Sequence, residues 1–322
     1  MKSIFILLSL IMIISGCSTI RNMALKTATP MFFEATPGLE KEGDWENFKN
    51  AVPGNLALVD GLLAVRPEDE NLLVTATKGY SGYAFGVHET LYLNDLYAER
   101  EKSRHKERAL NHYSKAISYG LKFLEVNDVS FEELRKAIRE PNGVKNILDD
   151  ELGSSDLDLE GVLFTAQALG SYINLQRTNM ALVAQLPIVK GMFDWVCEQK
   201  PDIAHGTCQI FYGSYEAGRP SMLGGNPEKG KEIFEKYIKE NPANWLARVA
   251  YLQYYIIPMS DEDLYAKEKA AMKKYTKLHK EANRWSPDKK DRPEFANKRL
   301  RLYQTIAVKR FKYIKKYEDD LF

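Results

Sequence analysis

The sequence predicts an all-α fold, an array of antiparallel helical hairpins enclosing an internal cleft or pore. Apolar residues recur at helical spacing along most of the chain. Proline or glycine punctuates the joints at Pro53, Pro67, Pro141, Pro201, Gly224-Gly225, Pro242, Pro258 and Pro287. Strand signals are nearly absent: Asn142-Gly143 lies between helical patterns, not between alternating apolar residues. A hydrophobic share of 44% and a charged share of 28% exclude wholesale disorder and a polytopic membrane protein. A net charge of +1 over 322 residues removes any global pull toward nucleic acid.

In chain order, Met1-Lys2-Ser3 is a short basic start. Ile4 to Ile14 is an apolar run broken only by Ser9, the length of a signal-peptide core and too short to span a bilayer. It ends in Ile14-Ser15-Gly16-Cys17, which resembles the bacterial lipobox. The resemblance implies cleavage before Cys17 and its lipidation, and Ser18 in place of Asp favours the outer membrane, with the chain facing the periplasm. An ordinary signal peptide with an incidental cysteine is the alternative. The expected organisation is a signal peptide over 1–16, a lipid-anchored linker over 17–44 and a helical domain over 45–322.

Within that domain, Leu56–Val65 is apolar at helical spacing and stops at Arg66-Pro67. Glu70–Leu96 and a helix around Ala109, Tyr113 and Ala116 follow, the latter running to Val126. Leu159–Leu175, Met180–Cys197, Ile203–Ala217, Pro227–Glu240, Trp245–Ile257, Asp261–Trp285 and Arg292–Tyr317 complete the series. Ser154 to Glu160 is acidic enough for a metal, but reads better as the capped start of the Leu159 helix.

Four segments repeat one spacing: a small residue, an aromatic four later, a small one three later and proline five later. Gly230, Phe234, Tyr237 and Pro242 keep it, as do Val189, Phe193, Val196 and Pro201. Asn55, Val59, Leu62 and Pro67 keep it with weaker identities, and Ala109, Tyr113 and Ala116 keep it until Leu121 replaces the proline. This is the spacing of a tetratricopeptide second helix, in degenerate form; a non-repeating bundle is the alternative.

Catalytic motifs are missing. His88-Glu89 has no second histidine four residues after His88, and there is no phosphate loop, nucleophile elbow or clustered metal-ligand set, so neither an enzyme nor a cofactor or metal is expected. Cys197 and Cys208 suit the end of one helix facing the start of the next and are candidates for a disulfide; two separate buried thiols are the alternative. Residues 267–316 hold 18 Lys/Arg against 5 Asp/Glu, a basic cap on an acidic body. That cap reads as a solvated outer face or as a contact for an acidic partner protein or anionic lipid heads. Leu300, Tyr303, Ala307, Phe311 and Ile314 still form one apolar stripe, so the last helix is packed. Aromatics cluster at Tyr80, Tyr83 and Phe85 among glycines, at Phe211, Tyr212 and Tyr215, and at Tyr251, Tyr254 and Tyr255. Such stripes are usually core, but tyrosine hydroxyls favour a wet edge, as in a cleft.

Ala51-Val52-Pro53-Gly54-Asn55-Leu56 with Gly79-Tyr80-Ser81-Gly82-Tyr83-Ala84-Phe85, and Tyr215 through Gly230 with Phe234, resemble the T-component of TRAP transporters, a tetratricopeptide lipoprotein family. The second stretch, with Arg219, Pro220, Gly224, Gly225 and Pro227, is the more specific. The resemblance implies homotrimers that dock a TRAP periplasmic solute-binding protein and take part in binding or handing off a small, hydrophobic organic solute without covalent chemistry. Tyr80, Tyr83, Phe85, Tyr212 and Tyr215 are the candidate ligand-cleft residues. The competing expectation is a tetratricopeptide scaffold for envelope assembly that binds partner proteins in its groove.

Overall fold

A computed structural model describes residues 27–287 and 292–322, and every element in them is helical. A helix over 27–39 (α1) leads into α2 (Trp45–Val65), α3 (Glu70–Tyr83), α4 (Thr90–Tyr97), α5 (Arg104–Val126), α6 (Phe131–Ala137), α7 (Gly143–Glu151), α8 (Asp156–Leu175), α9 (Met180–Val183) and α10 (Leu186–Gln199). Then come α11 (Thr207–Gly218), α12 (Pro227–Glu240), α13 (Trp245–Tyr251), α14 (Ile257–Met259), α15 (Glu262–Ala282), α16 (Arg301–Lys316) and α17 (Glu318–Leu321). Two π-helical segments, Ala84–Glu89 and Leu252–Ile256, join α3 to α4 and α13 to α14 without a break.

Local chemistry starts these helices. Asp44, Asp69, Ser103, Ser155, Asn226 and Asp261 each accept a backbone N–H in the first turn of the helix they cap. The acidic run before Leu159 is such a cap, with Ser155 accepting from the Asp158 amide. Part of the segment assigned to the linker is helical and anchored, since Thr29 donates to Asp69 at 2.9 Å and Glu40 is buried.

Pro53 is not a joint. It lies inside α2, which begins at Trp45. A proline there removes the N–H that Lys49 O would accept, at a cost of about 3 kcal/mol in an isolated helix. The Tyr83 hydroxyl donates to that carbonyl instead, at 3.3 Å. The last predicted helix is also shorter than its periodicity: residues 293–300 form two 3₁₀ turns around an Asn297 cap, and α16 starts at Arg301. Helices α6 and α7 are too short to show a periodic stripe in the sequence. Met180–Gln199 is apolar and long enough to cross a membrane, but it is interrupted before α10 and sends Ile188, Val189, Met192 and Phe193 into the core.

Packing runs in sequence order and then closes. Helix α2 lies on α3, α3 on α5 and α8, α5 on α8, α8 on α10 and α10 on α7. The pair α11–α12 interlocks at Gly230, where a Cβ would meet the Ala217 Cβ and Gly213 O at 2.8 Å. A disulfide joins Cys197 at the end of α10 to Cys208 at the start of α11, with Cα atoms 5.9 Å apart. The basic C-terminal helices are joined to the body through α16. Helix α16 packs on α2, α4, α13 and α15, linking the last helices back to the first.

Candidate functional site

Helices α2, α3, α8, α11, α13 and α16 wall a central cavity of about 700 Å³. Its surface is mostly apolar. Val52, Leu56 and Val59 come from α2, Phe164 from α8, Phe211 from α11 and Ile306 from α16. The lining positions recur at three- and four-residue spacing on α2 (Val52, Leu56, Val59), α11 (Thr207, Phe211, Ser214, Gly218) and α16 (Leu302, Ile306, Arg310), so each of these helices gives one stripe to the wall. Thr36, Leu39 and Glu40 at the end of α1 border it on one side, and Met180 and Met222, 62% and 90% exposed, on another.

Both π segments face this cavity through Phe85, Gln253 and Tyr254. A π turn widens the helix and leaves carbonyls open to side chains. Trp45 Nε1 donates to Gly86 O at 2.8 Å, and Thr90 Oγ1 donates to Phe85 O at 3.0 Å. Arg310 of α16 joins the two segments. Its Nη2 donates to Phe85 O at 2.8 Å and Glu89 Oε1 at 3.1 Å, its Nη1 to Gln253 Oε1 at 3.3 Å and its Nε to Thr90 Oγ1 at 3.0 Å. The guanidinium also lies 3.8 Å from the Phe85 ring centre. Arg310 is 1% exposed and Glu89 is buried, so this is an interior ion pair with its hydrogen-bonding groups satisfied.

At the α1 side, Glu40 meets Lys78 at 3.4 Å, Arg299 at 2.6 Å and His205 at 3.4 Å, while Lys78 also meets Glu160 at 2.8 Å. Burial raises the Glu40 carboxyl, but hydrogen bonds from His205 and Arg299 and the charge of Lys78 outweigh it and hold the group at about 2. Beside Tyr83, the rings of His88 and His112 lie 5.1 and 5.2 Å away. Burial and neighbouring positive charge hold His88 down at about 3 and His112 at about 4. Among the described residues no His, Cys, Asp and Glu group could hold a metal ion.

The family model of the TRAP transporter T-component matches residues 41–322. The chain belongs to that family. Among curated proteins no sequence matches it. The family is a transporter-associated component, not an enzyme family, so the cavity of this T-component is a feature of a protein that associates with TRAP transporters.

The candidate cleft residues divide. Tyr83, Phe85 and Tyr215 line the cavity of this T-component. Tyr80 does not: it is buried on α3, where its hydroxyl donates to Asp60 of α2 at 2.6 Å and accepts from Lys115 of α5 at 3.0 Å. Tyr212 borders a second space, an outer cleft of about 770 Å³ between α11 and α12, and its hydroxyl donates to Asp194 at 2.9 Å. Helical rotation separates these residues: three positions along an α-helix is a 60° offset, enough to move a ring off one face and onto the next.

The motif loop of the T-component forms part of the cavity rim. Arg219 and Pro220 line it. The Arg219 guanidinium lies 3.7 Å from the Tyr215 ring centre and donates to Gly224 O at 3.0 Å. Gly224 has φ +81°, the left-handed region that glycine enters without strain, and a Cβ on Gly225 would collide with Arg219 O. Asn226 then caps α12, with Pro227 at its first position. Cys17 lies outside the described residues.

Sequence reasoning missed Arg310, Lys78 and Arg177, all on the cavity lining. A signal for Arg310 was present, because it falls within the apolar stripe of Tyr303, Ala307, Phe311 and Ile314. A charge on a buried face marks a partner elsewhere in the fold.

Proposed function

We propose that this T-component binds a small, hydrophobic organic solute in its central cavity and hands it to or from a TRAP-type solute-binding protein. The supporting observation is the cavity itself. Its volume falls in the roughly 300–1,000 Å³ range of small-molecule sites, and its wall is apolar with a few polar groups. Membership of the family supplies the transport context. Binding and release need no covalent step. Aromatic rings and aliphatic side chains take up the apolar surface of the solute, and the exposed Met180 and Met222 offer a pliable apolar rim for its passage.

The test uses N-phenyl-1-naphthylamine, a neutral apolar fluorophore. Gly82 lines the cavity, and a Cβ there would have no atom within 4 Å. Gly82→Phe should keep or slightly raise the melting temperature, since glycine in a helix interior costs about 0.5–1 kcal/mol against alanine, while abolishing the probe's fluorescence rise. An unchanged titration in a folded Gly82→Phe protein would remove the cavity from the mechanism.

A second reading is favoured by the outer cleft, whose edge carries Lys229, Lys236, Asn241, Asn244 and Asn297. Such side chains clamp peptide backbone and carboxylates, as an envelope-assembly scaffold would require. Crosslinking from Lys236 in cells separates the readings: solute-binding protein in the adducts supports the first, assembly factors the second.

The anchoring proposal rests on Ile14-Ser15-Gly16-Cys17. Cys17 is lipidated and holds the chain at the outer membrane, facing the periplasm. Cys17→Ala should leave an unacylated product, and a variant that still carries labelled palmitate would refute this. A homotrimer follows only from the resemblance, and a monomer mass in sedimentation would remove it.

A further inference from the structure

We infer that the cavity ligand is a single-chain amphiphile with an anionic head, seated with its head at Arg177 and Tyr254 and its tail along the apolar wall. The inference deepens the cavity reading proposed above and rests on it.

Among the described residues, five charged side chains line the cavity: Glu40, Lys78, Arg177, Arg219 and Arg310. Four are already matched within the protein. Lys78 lies between Glu40 and Glu160, Arg219 meets Glu216 at 3.5 Å, and Arg310 is paired with Glu89. Arg177 has no ion pair or hydrogen bond with any described residue. The carboxylates that share its surroundings are already engaged. Arg177, Glu89 and Asp95 all act on the Tyr92 phenol, and Arg177, Glu89 and Arg310 on that of Tyr254. Glu89 gives one oxygen to Arg310 and accepts from the Tyr113 hydroxyl on the other at 2.6 Å. Asp95 accepts from Arg100 at 2.9 Å and from Ser103 at 2.5 Å. Neither of these carboxylates is free to neutralise Arg177.

The second donor is Tyr254. It lines the cavity, and its hydroxyl has no hydrogen-bond partner among the described residues. A guanidinium and a phenol, both without acceptors among the described residues, thus line the same cavity, and the charge of Arg177 acts on the Tyr254 phenol. Arg177 follows the end of α8, where the helix dipole favours a cation. That preference accounts for a positive charge at the position but not for its place on a cavity lining beside an unpartnered phenol. An anionic oxygen satisfies both donors, and a carboxylate or phosphate fits the planar fork of the guanidinium. Val52, Leu56 and Ile306, elsewhere on the same lining, provide the surface for a hydrocarbon tail.

The test is a fluorescence titration of the full chain with cis-parinaric acid and with its methyl ester. The acid is expected to bind about tenfold more tightly than the ester, the scale of one charge-assisted contact. Arg177→Gln should bring the ratio near one, chiefly by weakening the acid, and Tyr254→Phe should reduce the ratio in part. Laurate and lysophosphatidate then compete for the bound probe. The stronger competitor identifies the head as carboxylate or phosphate, and displacement by neither overturns the proposal. Equal binding of acid and ester by the parent, or an unchanged ratio in Arg177→Gln, also overturns it. Gly82→Phe separates the two levels. Loss of both probes in that variant upholds the cavity reading whatever Arg177 does, whereas retention of both removes the cavity reading itself.

Discussion

Tyr215 and Tyr212 lie one turn apart on α11 and border spaces of similar volume but different lining. The central cavity, about 700 Å³, is walled by aliphatic and aromatic side chains from helices distant in sequence. The outer cleft, about 770 Å³, lies mainly between two consecutive helices and is edged by lysines, asparagines and carboxylates. Volume alone does not distinguish a solute site from a surface groove. The cavity depends on the return of α16 to the start of the chain, whereas the outer cleft is bordered largely by α11, α12 and the turns beside them. The two should therefore fail under different substitutions.

The largest effect is expected at Arg310. Arg310→Leu leaves Glu89 charged, buried and without its partner, at a cost of about 3–5 kcal/mol. Urea denaturation should show that loss, and adding Glu89→Leu should recover most of it. If Arg310→Leu alone is neutral, the link between the two π segments is not what closes the cavity.

Acid should act next, and on the cavity side. His88 and His112 are held at about 3 and 4, below the ordinary histidine value of 6.5. The fold therefore keeps them neutral, while the unfolded chain takes up protons below pH 6.5. Their contribution is fully present above that pH and is lost as pH falls toward 3. Glu40, held at about 2, adds a second loss between pH 4.5 and 2. The melting temperature should fall steadily below pH 6.5, and His88→Gln with His112→Gln should make the part above pH 4.5 shallower, with His279, held at about 4 by burial, supplying the remainder. A parent profile flat from pH 7 to 4.5 would contradict this.

The smallest effect sharpens the comparison most. Tyr212→Phe removes one hydrogen bond to Asp194, worth about 0.5–1.5 kcal/mol, and should leave binding of the neutral probe unchanged. Tyr215→Ala strips a ring from the cavity wall and should weaken that binding. Equal weakening by both would mean that the two spaces act as one.

The helical class, most helix positions and the cap before α8 were legible in the sequence, because periodicity and capping act over three or four residues. The motif loop was legible for the same reason: Gly224, Gly225, Asn226 and Pro227 each meet a local backbone demand. The site was legible only in part. Tyr80, Tyr83 and Phe85 look alike as glycine-flanked aromatics, yet only the second and third reach the cavity.

What the sequence by itself determined is local. It set an all-helical chain, the caps that start its helices and the stripes they bury. Tertiary structure decided where those stripes meet. Pro53 stays inside a helix because Tyr83, 30 residues later, supplies the hydrogen bond that proline cannot. Arg310 is buried because Glu89, 221 residues earlier, awaits it. Cavity walls, buried ion pairs and an unmatched arginine are relations between distant residues. The free energy of such contacts depends on separation in space, which helical periodicity does not encode.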